Sequence, residues 1–156
     1  MRIVSLLPST TEIVAALGKT GALVGRSHEC NYPEEIGCLP SCTEPKFNPD
    51  GSSYEIDQRV KALLQEGLSV YRVDEEKLKV LKPDIILTQD HCEVCAASFD
   101  EVQKTVHSTL GTDVEGISVS PTNLSIWVQS IRTIAAALDS VSAAQPLTGR
   151  LTSELQ

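Results

Sequence analysis

The sequence predicts an α/β fold built on a mostly parallel sheet covered on both faces. Three observations predict it. Short β-branched apolar runs recur along the chain, around residues 2–7, 22–24, 68–73, 84–88 and 114–119. Between them lie stretches whose apolar residues are spaced three and four apart, the period of a helix. The intervals between runs need crossover connections, and crossovers make successive strands parallel.

Residues 2–7 form the first run, and Pro8 ends it. Ser9-Thr10-Thr11-Glu12 then has the spacing of a capping box, with Glu12 three residues after Ser9. Ile13, Val14, Ala16 and Leu17 supply an apolar face, and Gly18 stops the helix. Residues 27–52 read as loop, with Pro33, Pro40, Pro45 and Pro49, a short turn at 34–36 and a minor strand at 41–43. Ser53 is the expected cap of a helix reaching Glu66, with Ile56, Val60, Leu63 and Leu64 on one face and Gly67 at its end. Asp74 caps a short helix over 75–81, with Leu78 and Leu81 inward, and Pro83 ends it. After the clear strand at 84–88 comes a loop over 89–97, then a helix from Ser98 to about Leu110. Asn123 caps a long helix to Leu138, with Leu124, Trp127, Ile131, Ile134 and Leu138 on its buried face. Residues 1–139 thus read as one domain. Residues 140–156 are weakly patterned, interrupted by Pro146 and Gly149, and read as a further helix start or a disordered tail.

The chain has 156 residues, enough for one domain with its own core. Aromatics make up 4%, so that core is aliphatic. The net charge of −8 argues against nucleic acid and against anionic membrane surfaces, both of which need a basic face. No stretch approaches the roughly 20 apolar residues of a membrane span. The N-terminus has one basic residue and a short apolar run, too little for an export signal, so the expected compartment is the cytosol. Five cysteines there are thiols or metal ligands more readily than disulfides.

In open parallel sheets ligands bind beyond the carboxyl ends of the strands. Three such junctions carry unusual residues: Pro8-Ser9-Thr10, then His28-Glu29-Cys30-Asn31-Tyr32-Pro33, then Gln89-Asp90-His91-Cys92-Glu93-Val94-Cys95. All three should share one rim. Cys92 and Cys95 could hold a soft metal or form a redox pair. With His28 and Cys30 from the second loop they would make a tetrahedral zinc-like or an iron–sulfur site, with Glu29, His91 and Glu93 as further ligands or supports. Cys38 and Cys42 offer a second, weaker way to complete four cysteines. The backbone donors of Ser9 and Thr10, opening a helix, suit an anionic ligand group. Tyr32 and Phe47 could stack on a flat ligand. No nucleophile elbow and no paired carboxylates for acid/base work are present, so an enzyme is not expected.

These residues resemble a known family. The run Arg2-Ile3-Val4-Ser5-Leu6-Leu7-Pro8-Ser9-Thr10-Thr11-Glu12 is similar to the opening strand and helix of the iron-siderophore/cobalamin, or class III, periplasmic binding proteins that feed ABC importers. Leu23-Val24-Gly25-Arg26 resembles their second strand, and Leu81-Lys82-Pro83-Asp84-Ile85-Ile86-Leu87 a frequent strand entry. The His-Glu-Cys and Cys-x-x-Cys loops resemble a cobalamin-binding-like branch. The resemblance spans residues 1 to about 140. It implies a Rossmann-like, three-layer lobe ending in a long helix, and reversible, non-catalytic capture of a metal-chelate ligand such as cobalamin, haem or a siderophore. The site residues it implies are Pro8, Ser9, His28 and the loop from Gln89 to Cys95, including Asp90 and His91. Its members have two lobes joined by a long helix. One lobe is expected here, with a second lobe or a homodimer partner supplying the other half of the cleft. The alternative is a metal or thiol-redox protein using His28, Cys30, Cys92 and Cys95.

Overall fold

A computed structural model describes residues 1–66, 70–89 and 114–154. The main sheet holds β1 (Ile3–Ser5), β2 (Leu23–Arg26), β5 (Ile85–Thr88) and β6 (Glu115–Ser118), in the order β2-β1-β5-β6, with every pairing parallel. A small antiparallel sheet pairs β3 (Thr43–Pro45) with β4 (Tyr71–Val73). The helices are α1 (Pro8–Ala16), α2 (Ser53–Gln65), α3 (Glu75–Leu81), α4 (Leu124–Ala137) and α5 (Val141–Glu154). This is the expected three-layer α/β lobe.

The central strands are apolar on both sides because both faces are covered. On one face Ile3 and Leu87 pack with Ile13 and Val14 of α1, Ile131 and Ile134 of α4 and Ala144 of α5. On the other, Val4, Leu6 and Ile86 pack with Cys42, Val73 and Leu78. Consecutive residues of β1 and β5 thus feed opposite layers, as a period of two requires.

Local signals set several boundaries. Asp74 accepts from the Lys77 backbone N–H at 3.0 Å and Asn123 from that of Ile126 at 3.0 Å, so both helices start where their caps predict. Gly18 takes φ +73° just past the end of α1, a conformation that costs glycine little.

Four expectations need correction. The capping box at Ser9 does not form: α1 begins at Pro8, its N-cap is Leu7, and no side chain caps it. Proline has no N–H to satisfy and its φ suits the first helical position. The cap of α2 is Ser52 rather than Ser53, and Glu55 completes a capping box with it. No residue of α2 is fully buried, so its apolar positions cover less core than their spacing suggests. Leu124 is 58% exposed, because it opens the first turn of α4 ahead of the buried residues that share its stripe.

The segment after Leu138 holds α5 despite Pro146. Proline removes one i→i−4 bond. Buried Ala144 and Thr148 against α4, with the Thr148 hydroxyl donating to the Ala144 carbonyl at 2.8 Å, keep the helix continuous. No helix among the described residues is long and apolar enough to cross a membrane.

Candidate ligand-binding rim

Parallel pairing puts the carboxyl ends of β1, β2, β5 and β6 on one edge. The chain leaves β1 towards β2 and later returns on β1's other side with β5. Strand order therefore reverses at β1, the position at which open α/β sheets leave a crevice. Pro8 and Ser9 open α1 just beyond the carboxyl end of β1. Gln89 is buried at the end of β5. Asp90, His91, Cys92, Glu93 and Cys95 lie outside the described residues, as does the expected helix from Ser98.

Just beyond the carboxyl end of β1 is a buried hydroxyl cluster. Ser5 Oγ lies 2.7 Å from both Thr10 Oγ1 and Thr11 Oγ1. Thr10 Oγ1 also donates to the Leu7 carbonyl at 2.9 Å. Thr10's hydroxyl is thus engaged internally, and only its backbone N–H is a candidate for a ligand. Ser9, beside it, is exposed.

The second loop, residues 27–42, is fastened to the end of β1 by the Ser27 N–H, which donates to the Ser5 carbonyl at 2.9 Å. Cys30 is 2% exposed, with its sulfur 3.1 Å from Thr11 Oγ1. Burial raises its pKa, so the thiol stays protonated. His28 points to different partners. Its Nδ1 sits 2.7 Å from Thr43 Oγ1, and its ring meets that of Tyr71 edge-on at 4.9 Å. The Thr43 hydroxyl donates to Ser27 Oγ at 2.9 Å, so Nδ1 is the donor in the His28–Thr43 bond.

That assignment leaves the Nε2 lone pair of His28. It is buried, has no hydrogen-bond partner, and lies 3.3 Å from Glu29 Oε1. Burial lowers the His28 pKa, against the pull of the Glu29 carboxylate. The neutral imidazole then faces a carboxylate, an electron-rich pair that suits a cation. The Tyr71 hydroxyl donates to the same Glu29 oxygen at 3.5 Å, and burial followed by Glu29 raises its pKa.

The structure thus brings His28, Glu29, Thr43 and Tyr71 together, but gives His28 and Cys30 separate surroundings. Among the described residues no group of three or more His, Cys, Asp or Glu side chains is placed to hold a metal ion. Cys38 is exposed and donates to the Glu35 backbone carbonyl at 3.1 Å, whereas Cys42 is buried in the second core layer with its pKa pushed up to about 11. The two do not converge. Sequence reading missed Thr43 and Tyr71, which reach His28 only through the small sheet.

Tyr32 is 64% exposed beside Ser9. With Glu12, Ile13, Trp127 and Leu151 they line a groove of about 460 Å³ between α1 and the α4–α5 pair. Trp127 is half-buried here rather than fully in the core.

No family model and no curated protein matches the chain. Solved structures do. The periplasmic vitamin B12 binding protein BtuF of Vibrio cholerae is 20% identical, with a TM-score of 0.68 over 99% of this chain and 48% of its own. The periplasmic heme binding protein HutB of Vibrio cholerae is 20% identical, with a TM-score of 0.66 over 98% of this chain and 47% of its own. A possible iron-binding periplasmic solute-binding protein of Staphylococcus epidermidis is 22% identical, with a TM-score of 0.67 over 97% and 47%. At these identities the likeness establishes the fold. The chain spans about half the length of these proteins.

Proposed function

We propose that this chain forms one side of a binding site for a metal-chelate ligand of the cobalamin, haem or siderophore type, and that it binds without catalysis. One observation carries the reading. The buried Nε2 of His28, which has no hydrogen-bond partner, stands 3.3 Å from the Glu29 carboxylate at the carboxyl edge of the sheet. A ligand's metal or a polar ligand edge would satisfy it. Exposed Tyr32 offers a flat face for stacking, and the backbone N–H groups of Ser9 and Thr10 suit an anionic substituent. Solved heme and vitamin B12 binding proteins of the same fold support the ligand class. A second lobe or partner would supply the rest of the cleft, and Asp90 and His91 further contacts.

The alternative, a metal or thiol-redox site using His28, Cys30, Cys92 and Cys95, finds less support, because buried Cys30 turns to Thr11 rather than to His28.

Absorbance titrations with hemin and with cyanocobalamin test the reading. One lobe covers only part of such a ligand, so the expected dissociation constant is on the order of micromolar for at least one probe. His28→Ala should weaken that binding about tenfold, as expected when a polar contact worth ~1.4 kcal/mol is lost. Spectra of both probes left unchanged by a large excess of protein would overturn the proposal.

A further inference from the structure

We propose that Arg26 is the positioning residue that pre-forms the loop carrying His28, Glu29 and Tyr32. The inference rests on the reading of that loop as part of a binding site. Arg26 is the last residue of β2, and its backbone already closes the loop: its N–H donates to the Pro40 carbonyl at 3.1 Å, and its carbonyl accepts from Cys42 at 2.7 Å. Its side chain then enters the loop. One guanidinium nitrogen, Nη1, donates to the carbonyls of Ser27 and Cys30, each at 3.0 Å. The other, Nη2, donates to the Gly37 carbonyl at 3.3 Å.

Those three carbonyls bracket His28 and Glu29 on one side and Tyr32 on the other. The segment has little regular structure of its own: a 3-10 turn over Glu34–Cys38 and a single bridge between Arg26 and Ser41. The Ser27 carbonyl also accepts from the Cys30 N–H at 3.1 Å within the loop, but the Cys30 and Gly37 carbonyls take their donors from Arg26. The planar fork of a guanidinium can serve three carbonyls in fixed directions, which a single ammonium cannot do with the same geometry. Holding the Ser27 and Cys30 carbonyls fixes the backbone on both sides of His28 and Glu29. It therefore sets where Nε2 and the carboxylate stand without Arg26 touching a ligand. Loop order established before binding lowers the entropic cost of binding.

Arg26→Met keeps most of the aliphatic stem and removes all three hydrogen bonds. Arg26→Ala leaves space for a free guanidinium ion. The first readout is ligand-free: cross-relaxation between the His28 and Tyr71 rings, whose centroids are 4.9 Å apart. In both variants it should be lost while the urea midpoint of the sheet is largely kept. The second is hemin and cyanocobalamin affinity. It should fall about tenfold if the ordered loop drops to about a tenth of molecules. Millimolar guanidinium should restore both readouts in Arg26→Ala and neither in Arg26→Met. An intact ring contact with unchanged affinity in both variants would overturn the proposal. So would collapse of the whole fold in both, which would make Arg26 a general stability residue. If the unmodified chain binds neither probe, the functional reading fails, while the ring contact still decides the role of Arg26.

Discussion

Replacing Ile86 by Ala should lower the unfolding free energy by about 2–5 kcal/mol, read as a fall in urea midpoint at unchanged slope. Ile86 has no exposed surface and stands in β5, with β1 on one side and β6 on the other. It packs in the layer with Val4, Leu6, Cys42, Val73 and Leu78. Removing three carbons there forfeits their burial and opens a cavity that paired strands on both sides cannot close by moving inward. Against a typical domain stability of about 5–15 kcal/mol the loss is large. A change below about 1 kcal/mol would mean that the second core layer is not packed as described.

Gly25→Ala should cost about 1–3 kcal/mol, the range for forcing extra carbon into a filled core. A Cβ at position 25 would lie 2.7 Å from Cys42 Sγ, 2.8 Å from Leu81 Cδ1 and 3.2 Å from Val4 Cγ2. The Leu81 methyl can swing aside. Val4 and Cys42 cannot do so easily, because both have no exposed surface and Val4 is paired with Gly25 in the sheet. Gly21→Ala is the control. A Cβ there meets nothing within 4 Å, so stability should stay within about 0.5 kcal/mol. Equal effects at the two positions would remove the close-approach explanation for Gly25.

The layers were legible because the signals that define them are local. The strand at Ile85–Thr88 has a proline and an aspartate before it and an unbroken apolar run within it. Asp74 and Asn123 carry their caps in their own side chains. Where the reading slipped, two local patterns competed. Ser9-Thr10-Thr11-Glu12 matches a capping box, but Pro8 claims the first helical position and Thr10 and Thr11 turn back to Ser5 and Leu7. Ser52 and Ser53 stand side by side, and the serine three residues before Glu55 is the cap. The helix over Val141–Glu154 was obscured by Pro146, whose lost bond is offset by packing that periodicity alone does not reveal.

The common edge of strand ends was legible, because strand ends in a parallel sheet follow from topology, while the third expected loop, from Asp90 to Cys95, lies outside the described residues. His28, Glu29 and Tyr32 were marked by residue type. Their surroundings were not. The partners of His28 come from Thr43, 15 residues on, and from Tyr71, beyond α2. Cys30 looked like a metal ligand beside His28, yet it anchors the loop to the hydroxyls under α1. Chemical type marks which residues can act. Only the register of the small sheet and the reach of Arg26 decide which of them meet.

Ferric hemin titrated into isotope-labelled protein would locate the bound ligand, since its unpaired electrons broaden nearby amide signals. Broadening is expected at Ser9, His28, Glu29, Tyr32, Tyr71 and Gln89, with Arg2, Asp84 and Glu115 at the opposite ends of the strands unaffected. Broadening centred on those opposite ends, or spread evenly over the surface, would contradict the proposed site.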